Sequence, residues 1–506
     1  EKGGCEYNDE TFEDGVWTIK VGDSAEAWAK SLGKLMAGSY NADKLVLDFS
    51  EIRPAGERLS GYGWISSGDE QIAYAYSRIA KIMSNRAGQM LSRIDILDIV
   101  NLMGTILSSR RSAEIALFPI DEPEWEEFAV AKKDFWLYDN DHRQQSNNSL
   151  LFSQKPTREK LESIFATMQE AGGSEPGFIN QEAALRRAPW FKGVNPCAEI
   201  LLGNKSFCNL TEVDVGKFKD DKLGMLRAIN IAARANYRQT CVDLRDGILQ
   251  EAWHLNNDHL RLCGVGLTGI VKRPDLDAYT LKEMQREATN AAYSMADALQ
   301  TPRPKNVTTV KPSGTMSKVM DTTEGVHKPL GRFVFNTIQF SRHDPLVKKL
   351  EKANYKVMNH PSDPTSVLVT MPVDYSGVPF DVVDGKEVNL ESAVDQLERY
   401  KLLQQNWTQQ NTSVTISYSP EEVPEIIDWL LDNWQDYVGV SFIYRDDPTK
   451  TAEDLGYPYL PQQVVSKDEY DKYVSQLLPV DVEDQENNTL ETIGNEECST
   501  GGCPII

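Results

Sequence analysis

The chain has 506 residues, of which 40% are hydrophobic and 25% charged, which is typical of a globular protein with a large core or about two to four domains. Its formal net charge of −23 argues against a nucleic-acid partner, because phosphate-backbone binding needs clustered Lys and Arg. No apolar run approaches the ~18 residues that cross a bilayer, and no signal-peptide pattern is present, so we expect no membrane association and a cytoplasmic location.

Apolar residues recur at helical spacing in six segments, which predict amphipathic helices at about 69–86, 157–171, 222–244, 281–299, 388–406 and 420–435. Runs of β-branched residues predict strands at about 44–49, 366–370, 413–418 and 438–443. Helices that alternate with apolar strands indicate an α/β fold built on a parallel sheet or barrel.

The carboxyl end has a different composition. Residues from about 480 to 497 are acidic, rich in amides and poor in apolar groups, which predicts a flexible linker. The chain then ends with Cys498 and Cys503, and Gly501 and Gly502 between them allow the two sulfurs to meet. Two cysteines without a second pair or a nearby His are a weak zinc signal, so we predict a mobile dithiol and no protein-bound metal.

The seven cysteines form no disulfide framework, which suits reduced thiols. The most informative of them is Cys197, which lies between Asn195 and Glu199, with Cys208 following 208 − 197 = 11 positions later. In an extended segment, alternate residues project to the same side, so amide, thiol and carboxylate would face a substrate together. Buried packing is the competing interpretation of any single cysteine, and we favour it for Cys241 and Cys263.

A second motif, Lys-Pro-Ser-Gly-Thr-Met-Ser at 311–317, follows a β-branched run. Glycine lets a backbone approach an anion, and hydroxyls and amides at a helix start can hold phosphate. Such a string alone is usually only a turn. The chain lacks a Gly-rich P-loop with Lys and Ser/Thr at the required spacing, which argues against an ATPase.

Taken together, these motifs resemble the ribonucleotide reductase large-chain family. The resemblance runs from about Trp17 to about Tyr459, and further segments that support it are Arg53–Arg58, Gly61–Gly63, Arg110–Glu114 and Ser146–Ser149. It implies a ten-stranded α/β barrel with a central finger loop that carries the radical cysteine.

The resemblance also implies roles for individual residues. Cys197 would carry the thiyl radical, Glu199 would be the general base, Asn195 would orient the sugar hydroxyls, and Cys208 would be one of two thiols that reduce the substrate. The tail thiols Cys498 and Cys503 would re-reduce that pair with thioredoxin or glutaredoxin. The residues implied to bind the substrate phosphate are Pro312, Ser313, Gly314, Thr315 and Met316.

The short gap before Cys208 and the Asn-Pro-Cys form look like the adenosylcobalamin-dependent class of the family. The oxygen-dependent class has a longer gap and an adjacent tyrosine pair, whereas Tyr457 and Tyr459 here are separated by Pro458. The resemblance therefore implies adenosylcobalamin as cofactor, with a reductase that needs a separate radical subunit as the alternative. The substrate would be a ribonucleoside di- or triphosphate, with a nucleotide effector.

One departure concerns the amino-terminal side. The first redox cysteine of the family lies far upstream of the finger cysteine, and Cys5 lies in a Gly-rich, acidic setting unlike a strand. We therefore expect an unassigned segment at 1–14, a barrel at 15–470 without its opening strands, a linker at 471–497 and a redox tail at 498–506. A separate amino-terminal polypeptide would complete the barrel, unless the chain is truncated.

Two alternatives remain open on the sequence. A non-catalytic, nucleotide-binding regulatory homologue would keep the fold without the upstream thiol. A thiol oxidoreductase acting on proteins is disfavoured, because no Cys-x-x-Cys pair lies near a βαβ unit.

Overall fold

The computed structural model describes residues 7–37, 42–57, 66–106, 113–245 and 249–481. Some residues singled out above therefore lie outside the described part of the chain: Cys5, Arg58, Gly61–Gly63, Arg110–Ser112, most of the linker, Cys498 and Cys503.

The helices are α1 Ala25–Ala37, α2 Glu70–Asn85, α3 Arg93–Gly104, α4 Trp125–Ala129, α5 Arg158–Glu170, α6 Gln181–Arg187, α7 Lys222–Gln239, α8 Glu251–Leu260, α9 Ala278–Leu299, α10 Gly314–Val319, α11 Pro345–Lys352, α12 Ala393–Asn406, α13 Val423–Asp432, α14 Ala452–Leu455 and α15 Lys467–Val474. All six predicted helices are present, but several boundaries differ: α7 ends five residues before the predicted 244, α12 begins five residues after the predicted 388, and α13 covers only Val423–Asp432 of the predicted 420–435.

The strands are β1 Asp9–Glu13, β2 Val16–Lys20, β3 Lys44–Asp48, β4 Glu114–Pro119, β5 Ser146–Phe152, β6 Gly177–Asn180, β7 Gly193–Val194, β8 Leu201–Leu202, β9 Thr211–Asp214, β10 Val265–Thr268, β11 Phe333–Ser341, β12 Val357–Asn359, β13 Ser366–Asp374, β14 Asp381–Val383, β15 Lys386–Val388, β16 Thr415–Tyr418, β17 Gly439–Tyr444 and β18 Gln462–Val464. The four predicted strands correspond to β3, β13, β16 and β17.

The central sheet has the order β16-β17-β6-β5-β4. Strands β4, β5 and β6 run parallel, β6 pairs antiparallel with β17, and β17 pairs parallel with β16. Two parallel bridges, Val310 with Thr412 and Val265 with Thr308, continue the pairing beyond β16 to β10, which pairs parallel with β9. The mixed α/β class with parallel strands is thus confirmed.

Along this path, β4, β5 and β6 run in one direction. The other five segments run in the opposite direction: β17, β16, the segment around Val310, β10 and β9. Within the described residues the two ends of the path, β4 and β9, do not pair with each other, so no closed barrel forms. The predicted ten-stranded barrel is therefore not confirmed. Sequence periodicity identifies individual strands, whereas closure depends on which strand edges pair over long distances in the chain.

The central core lies between this sheet and the helices α5, α7, α9, α12 and α13. Phe165, Phe178 and Phe442 meet edge to face, with ring centroids 5.2–5.6 Å apart. Helix α9 is capped by Asp277, whose side chain accepts a hydrogen bond from the Thr280 N–H at 2.8 Å. This packing fixes the helices around the strands that carry the candidate site.

The described residues also form a three-stranded sheet, a four-stranded sheet and the two-stranded sheets β14–β15 and β7–β8. Strands β1, β2 and β3 form a sheet that packs with α1, α2 and α3 around a separate core containing Ile19, Ile72 and Leu102. Strands β12, β13, β11 and β18 form an antiparallel sheet. Strand β1 lies in the segment left unassigned by sequence, and α15 extends past residue 471, where the linker was expected to begin.

Candidate active site

The segment around Cys197 is a tight loop between the short strands β7 and β8, which pair Val194 with Leu201. We call residues 195–200 the finger loop. Its Ala198 N–H donates to the Asn195 carbonyl at 2.7 Å, and Ala198 adopts φ 61°, which is left-handed. The predicted extended segment is therefore wrong: the loop is a turn, and side-chain alternation does not bring its functional groups together.

Asn411 holds the finger loop from the segment before β16. Its Nδ2 donates to the Ala198 carbonyl at 2.8 Å, while its Oδ1 accepts from the Tyr400 hydroxyl at 2.9 Å and from the Gly439 N–H at 3.3 Å. Asn411 is itself fully buried. One amide thus ties the loop to α12 and β17, and the sequence analysis did not identify it.

Two more side chains hold the loop by its carbonyls. Asn147 Nδ2 donates to the Pro196 carbonyl at 2.7 Å, and Thr309 Oγ1 donates to the Glu199 carbonyl at 2.9 Å. Asn147 belongs to the Ser146–Ser149 segment, which the resemblance had marked without a role. Because the loop is held through its backbone, the Cys197 and Glu199 side chains remain available for chemistry.

The Cys197 side chain opens onto a cavity of about 300 Å³. The polar lining comes mainly from the ends of β5, β16 and β17 and includes Asn148, Ser149, Ser413, Thr415 and Ser441. Although the thiol faces the cavity, the surrounding protein desolvates it and raises the pKa of Cys197 to about 12, with the Glu199 charge adding to the effect. The resting thiol is therefore protonated at neutral pH.

Glu199 is 2% exposed, and its Oε2 has no hydrogen-bond partner. Burial raises the pKa of Glu199, and the like charge of Glu212 raises it further, whereas a hydrogen bond from Asn195 and the Lys311 ammonium lower it. A carboxyl held between these opposing effects is suited to general acid–base chemistry.

Asn195 is buried, and its Oδ1 accepts the Ile200 N–H at 2.8 Å. This hydrogen bond links the two ends of the finger loop. The Asn195 side chain also forms a hydrogen bond with Glu199. The sequence analysis gave Asn195 only a substrate-orienting role.

Cys208 lies after β8 and packs against Ile200, Leu260 and Leu262. Burial raises the pKa of Cys208, and the nearby Glu199 carboxyl raises it further. Because Ile200 belongs to the finger loop, this packing brings Cys208 into the same site as Cys197 and Glu199.

The predicted phosphate loop, residues 312–316, borders the same cavity through Pro312. Ser313 is buried, has φ 67°, and accepts the Ser317 N–H at its carbonyl at 2.9 Å. Helix α10 begins at Gly314, where a Cβ would meet nothing within 4 Å, and Met316 is exposed. The amino-terminal end of α10 is therefore unobstructed at Gly314, close to the cavity that Pro312 and Cys197 both line.

The two other described cysteines differ. Cys263 is fully buried, as expected of a packing residue. Cys241 follows the end of α7 and is exposed, so the packing prediction is wrong there, because the helix ends at Gln239. Across the described residues, no cluster of three or more His, Cys, Asp or Glu side chains could hold a metal ion. Nor does the described part contain a helix long and apolar enough to cross a membrane.

Both the sequence and the fold of this chain are similar to those of known proteins. No family model matches the chain. The adenosylcobalamin-dependent ribonucleoside-triphosphate reductase of Lacticaseibacillus paracasei is 26% identical over 96% of this chain and 69% of its own length, and the Lactobacillus gasseri protein of that name is 25% identical over 96% and 70%. A crystal structure of B12-dependent (class II) ribonucleotide reductase superposes with a TM-score of 0.72 at 22% identity, covering 96% of this chain and 70% of that one.

The chain is similar to adenosylcobalamin-dependent ribonucleoside-triphosphate reductases over almost its whole length, and it shares the fold of the class II ribonucleotide reductase. It spans about 70% of the length of the curated reductases it matches. Those reductases are longer single chains, so the comparison gives no support to a separate amino-terminal polypeptide.

Proposed function

We propose that this chain reduces ribonucleotides to 2′-deoxyribonucleotides at the finger loop, with ribonucleoside triphosphates as the substrate class. The observation that carries the proposal is the single site shared by Cys197, Glu199 and Cys208, within a fold like that of a ribonucleotide reductase. The names of the relatives favour triphosphates over diphosphates.

The reaction requires radical chemistry because hydroxide is a poor leaving group on an unactivated carbon. The Cys197 thiyl radical removes the 3′ hydrogen atom, and Glu199 accepts the 3′-hydroxyl proton, so that the 2′-hydroxyl can leave as water. Two thiols, one of them Cys208, supply the two electrons and two protons and become a disulfide. Of the two thiol protons, one leaves with the 2′ oxygen as water and the other is added at the 2′ carbon. Glu199 then returns its proton to the 3′ oxygen, and Cys197 returns its hydrogen atom to the 3′ carbon and recovers the radical.

The cofactor that fits this site is adenosylcobalamin, the cofactor named for the relatives. When bound, it supplies the radical that removes the hydrogen atom from the Cys197 thiol. Amide and hydroxyl groups of Asn148, Ser149, Ser413 and Ser441 line the cavity that reaches this thiol and suit a nucleoside group. A second cavity of about 470 Å³ shares Pro312, Val414, Thr415 and Ile443 with it, which gives room for a larger ligand.

The substrate triphosphate would bind at residues 312–316, where the open start of α10 and the left-handed Ser313 present backbone amides. After each turnover the Cys208 disulfide must be reduced by thiolate exchange. We assign that step to Cys498 and Cys503, with a thioredoxin-type protein as the final reductant.

The proposal is tested by anaerobic deoxynucleotide formation from a ribonucleoside triphosphate, with adenosylcobalamin and a dithiol. We expect turnover by the wild-type protein and none by Cys197→Ser, because an alkoxyl radical is far harder to form than a thiyl radical. Cys241→Ser, which removes an exposed thiol outside the site, is the matched control and should keep full activity. Turnover by Cys197→Ser would overturn the assignment, and turnover only with a metal-carrying radical subunit would overturn the cofactor.

A further inference from the structure

Lys311 and Glu212 form a partly buried ion pair. Lys311 Nζ is 3.6 Å from Glu212 Oε2, and the two side chains are 19% and 2% exposed. Glu212 projects from β9, whereas Lys311 lies directly before the phosphate loop. None of the roles proposed above uses either residue.

The path of the lysine explains how the pair forms. Glu212 pairs with Gly266 on the neighbouring strand β10, and a Cβ at Gly266 would lie 3.2 Å from Lys311 Cγ. The aliphatic part of Lys311 therefore crosses β10 where the strand has no side chain. This close approach directs the ammonium into the site.

The carboxyl groups around Lys311 have few hydrogen-bond donors. Glu199 Oε2 and both carboxylate oxygens of Glu212 are buried without a partner at full hydrogen-bond geometry, and the donors that approach Glu212 are the Ser313 hydroxyl and the Lys311 ammonium. An ionised carboxylate in such surroundings is costly unless a cation lies nearby. The Lys311 ammonium pairs with Glu212. Lys311 also follows Thr309 by two residues, and the Thr309 hydroxyl is 2.9 Å from the Glu199 carbonyl, so in this extended segment the lysine projects to the side that faces the finger loop. Its charge lowers the pKa of both carboxyls.

The other titratable groups at this site are thiols and one further acid. Lys311 lowers the pKa of Cys197 and of Cys208 against the dominant effect of burial, and Asp214 raises the pKa of Glu212. For Glu199, the effect of Lys311 is larger than the opposing effect of Glu212. Burial remains the dominant effect and raises the pKa of Glu199, and the Lys311 charge opposes that rise.

We propose that Lys311 is a positioning residue that favours the carboxylate form of Glu199 against the effect of burial, so that Glu199 can accept the 3′-hydroxyl proton, while Glu212 holds the ammonium in place. The inference rests on the proposed function for its catalytic meaning. The charge relationship itself is a property of the resting protein.

Three substitutions at the ion pair should have different effects on the pKa of Glu199. Lys311→Met keeps the stem and removes the charge, so the pKa of Glu199 rises and the acidic limb of the pH–rate profile moves to higher pH by about one to three units. Glu212→Gln removes a like charge, so the limb moves to lower pH by a smaller amount. Lys311→Arg keeps the charge and should restore a limb close to that of the wild type.

The direct experiment is a carboxyl NMR titration of Glu199 in the resting protein, assigned by difference against Glu199→Gln, together with the pH–rate profiles. Lys305→Met, which removes an exposed lysine from the same stretch of chain, is the control and should move neither. Opposite shifts in Lys311→Met and Glu212→Gln support the inference. A uniform loss of activity with an unmoved Glu199 titration overturns it, because a merely structural role has that signature.

The experiments distinguish the proposed function from the inference about Lys311. If the titration shifts but the wild-type protein forms no deoxynucleotide, the proposed function fails and the charge relationship stands. If the protein is active but Glu199 titrates identically in all three variants, only the inference about Lys311 fails.

Discussion

The finger loop and the phosphate loop border one cavity but are held in different ways. The finger loop receives hydrogen bonds from Asn147, Thr309 and Asn411, which lie on three distant parts of the chain. The phosphate loop is organised by local contacts, chiefly the Ser317 N–H to the Ser313 carbonyl and the close packing of Gly325 on the Lys311 carbonyl.

The difference corresponds to what each loop must do. Hydrogen-atom transfer at Cys197 needs a reacting geometry that tolerates little displacement, so the loop is fixed from several sides. A phosphate group is bound by several amides at once and needs those donors left unoccupied. We expect changes at the finger loop to affect kcat and changes at the phosphate loop to affect KM.

The largest effect should come from the base on the finger loop. Glu199→Gln keeps the size of the side chain but cannot accept the 3′-hydroxyl proton, so kcat should fall by about 10²- to 10⁴-fold with little change in KM. Steady-state kinetics with a ribonucleoside triphosphate measure both constants, and Glu170→Gln, at the exposed end of α5, is the control. A kcat within threefold of the wild type would remove Glu199 from the chemistry.

A smaller effect is expected where the finger loop is held. Asn411→Ala leaves the Ala198 carbonyl, the Gly439 N–H and the Tyr400 hydroxyl without this partner, and each unsatisfied buried group costs about 1–3 kcal/mol. Chemical denaturation should show the lower free energy of unfolding, and kcat should fall roughly tenfold, equivalent to about 1.4 kcal/mol. Unchanged stability with unchanged kcat would mean that the loop does not depend on Asn411.

The smallest effect should come from the phosphate loop. Gly325 has φ 48°, and a Cβ there would lie 2.4 Å from the Lys311 carbonyl oxygen, so Gly325→Ala should displace the loop. We expect KM for the triphosphate to rise about three- to tenfold, or about 1 kcal/mol, at nearly constant kcat. Gly33→Ala in α1 is the control, because a Cβ there meets nothing within 4 Å. A change in kcat alone would contradict the division between the loops.

The sequence predicted the helices well because amphipathic periodicity is local. It also singled out Cys197, Glu199 and Cys208, because their residue types and spacing carry the resemblance. It could not predict the turn at Ala198, since a hydrogen bond from residue 198 to residue 195 leaves no mark in the pattern of residues.

Long-range contacts account for what sequence reasoning missed. Asn411 and Thr309 contact the finger loop across 213 and 110 positions of chain, and no periodicity links such partners. The same holds for Lys311 and Glu212, which meet only because Gly266 lets the lysine cross β10. Barrel closure likewise depends on edge pairing, which the separate strand patterns do not contain.

The central claim is that Cys197 removes the 3′ hydrogen atom of a ribonucleotide. The most direct measurement compares deoxynucleotide formation from a substrate deuterated at the 3′ carbon with formation from the unlabelled substrate, in single turnovers of the pre-reduced protein. The account predicts slower conversion of the deuterated substrate by the wild-type protein and no conversion of either substrate by Cys197→Ser. Conversion of both substrates by Cys197→Ser at the wild-type rate would contradict it.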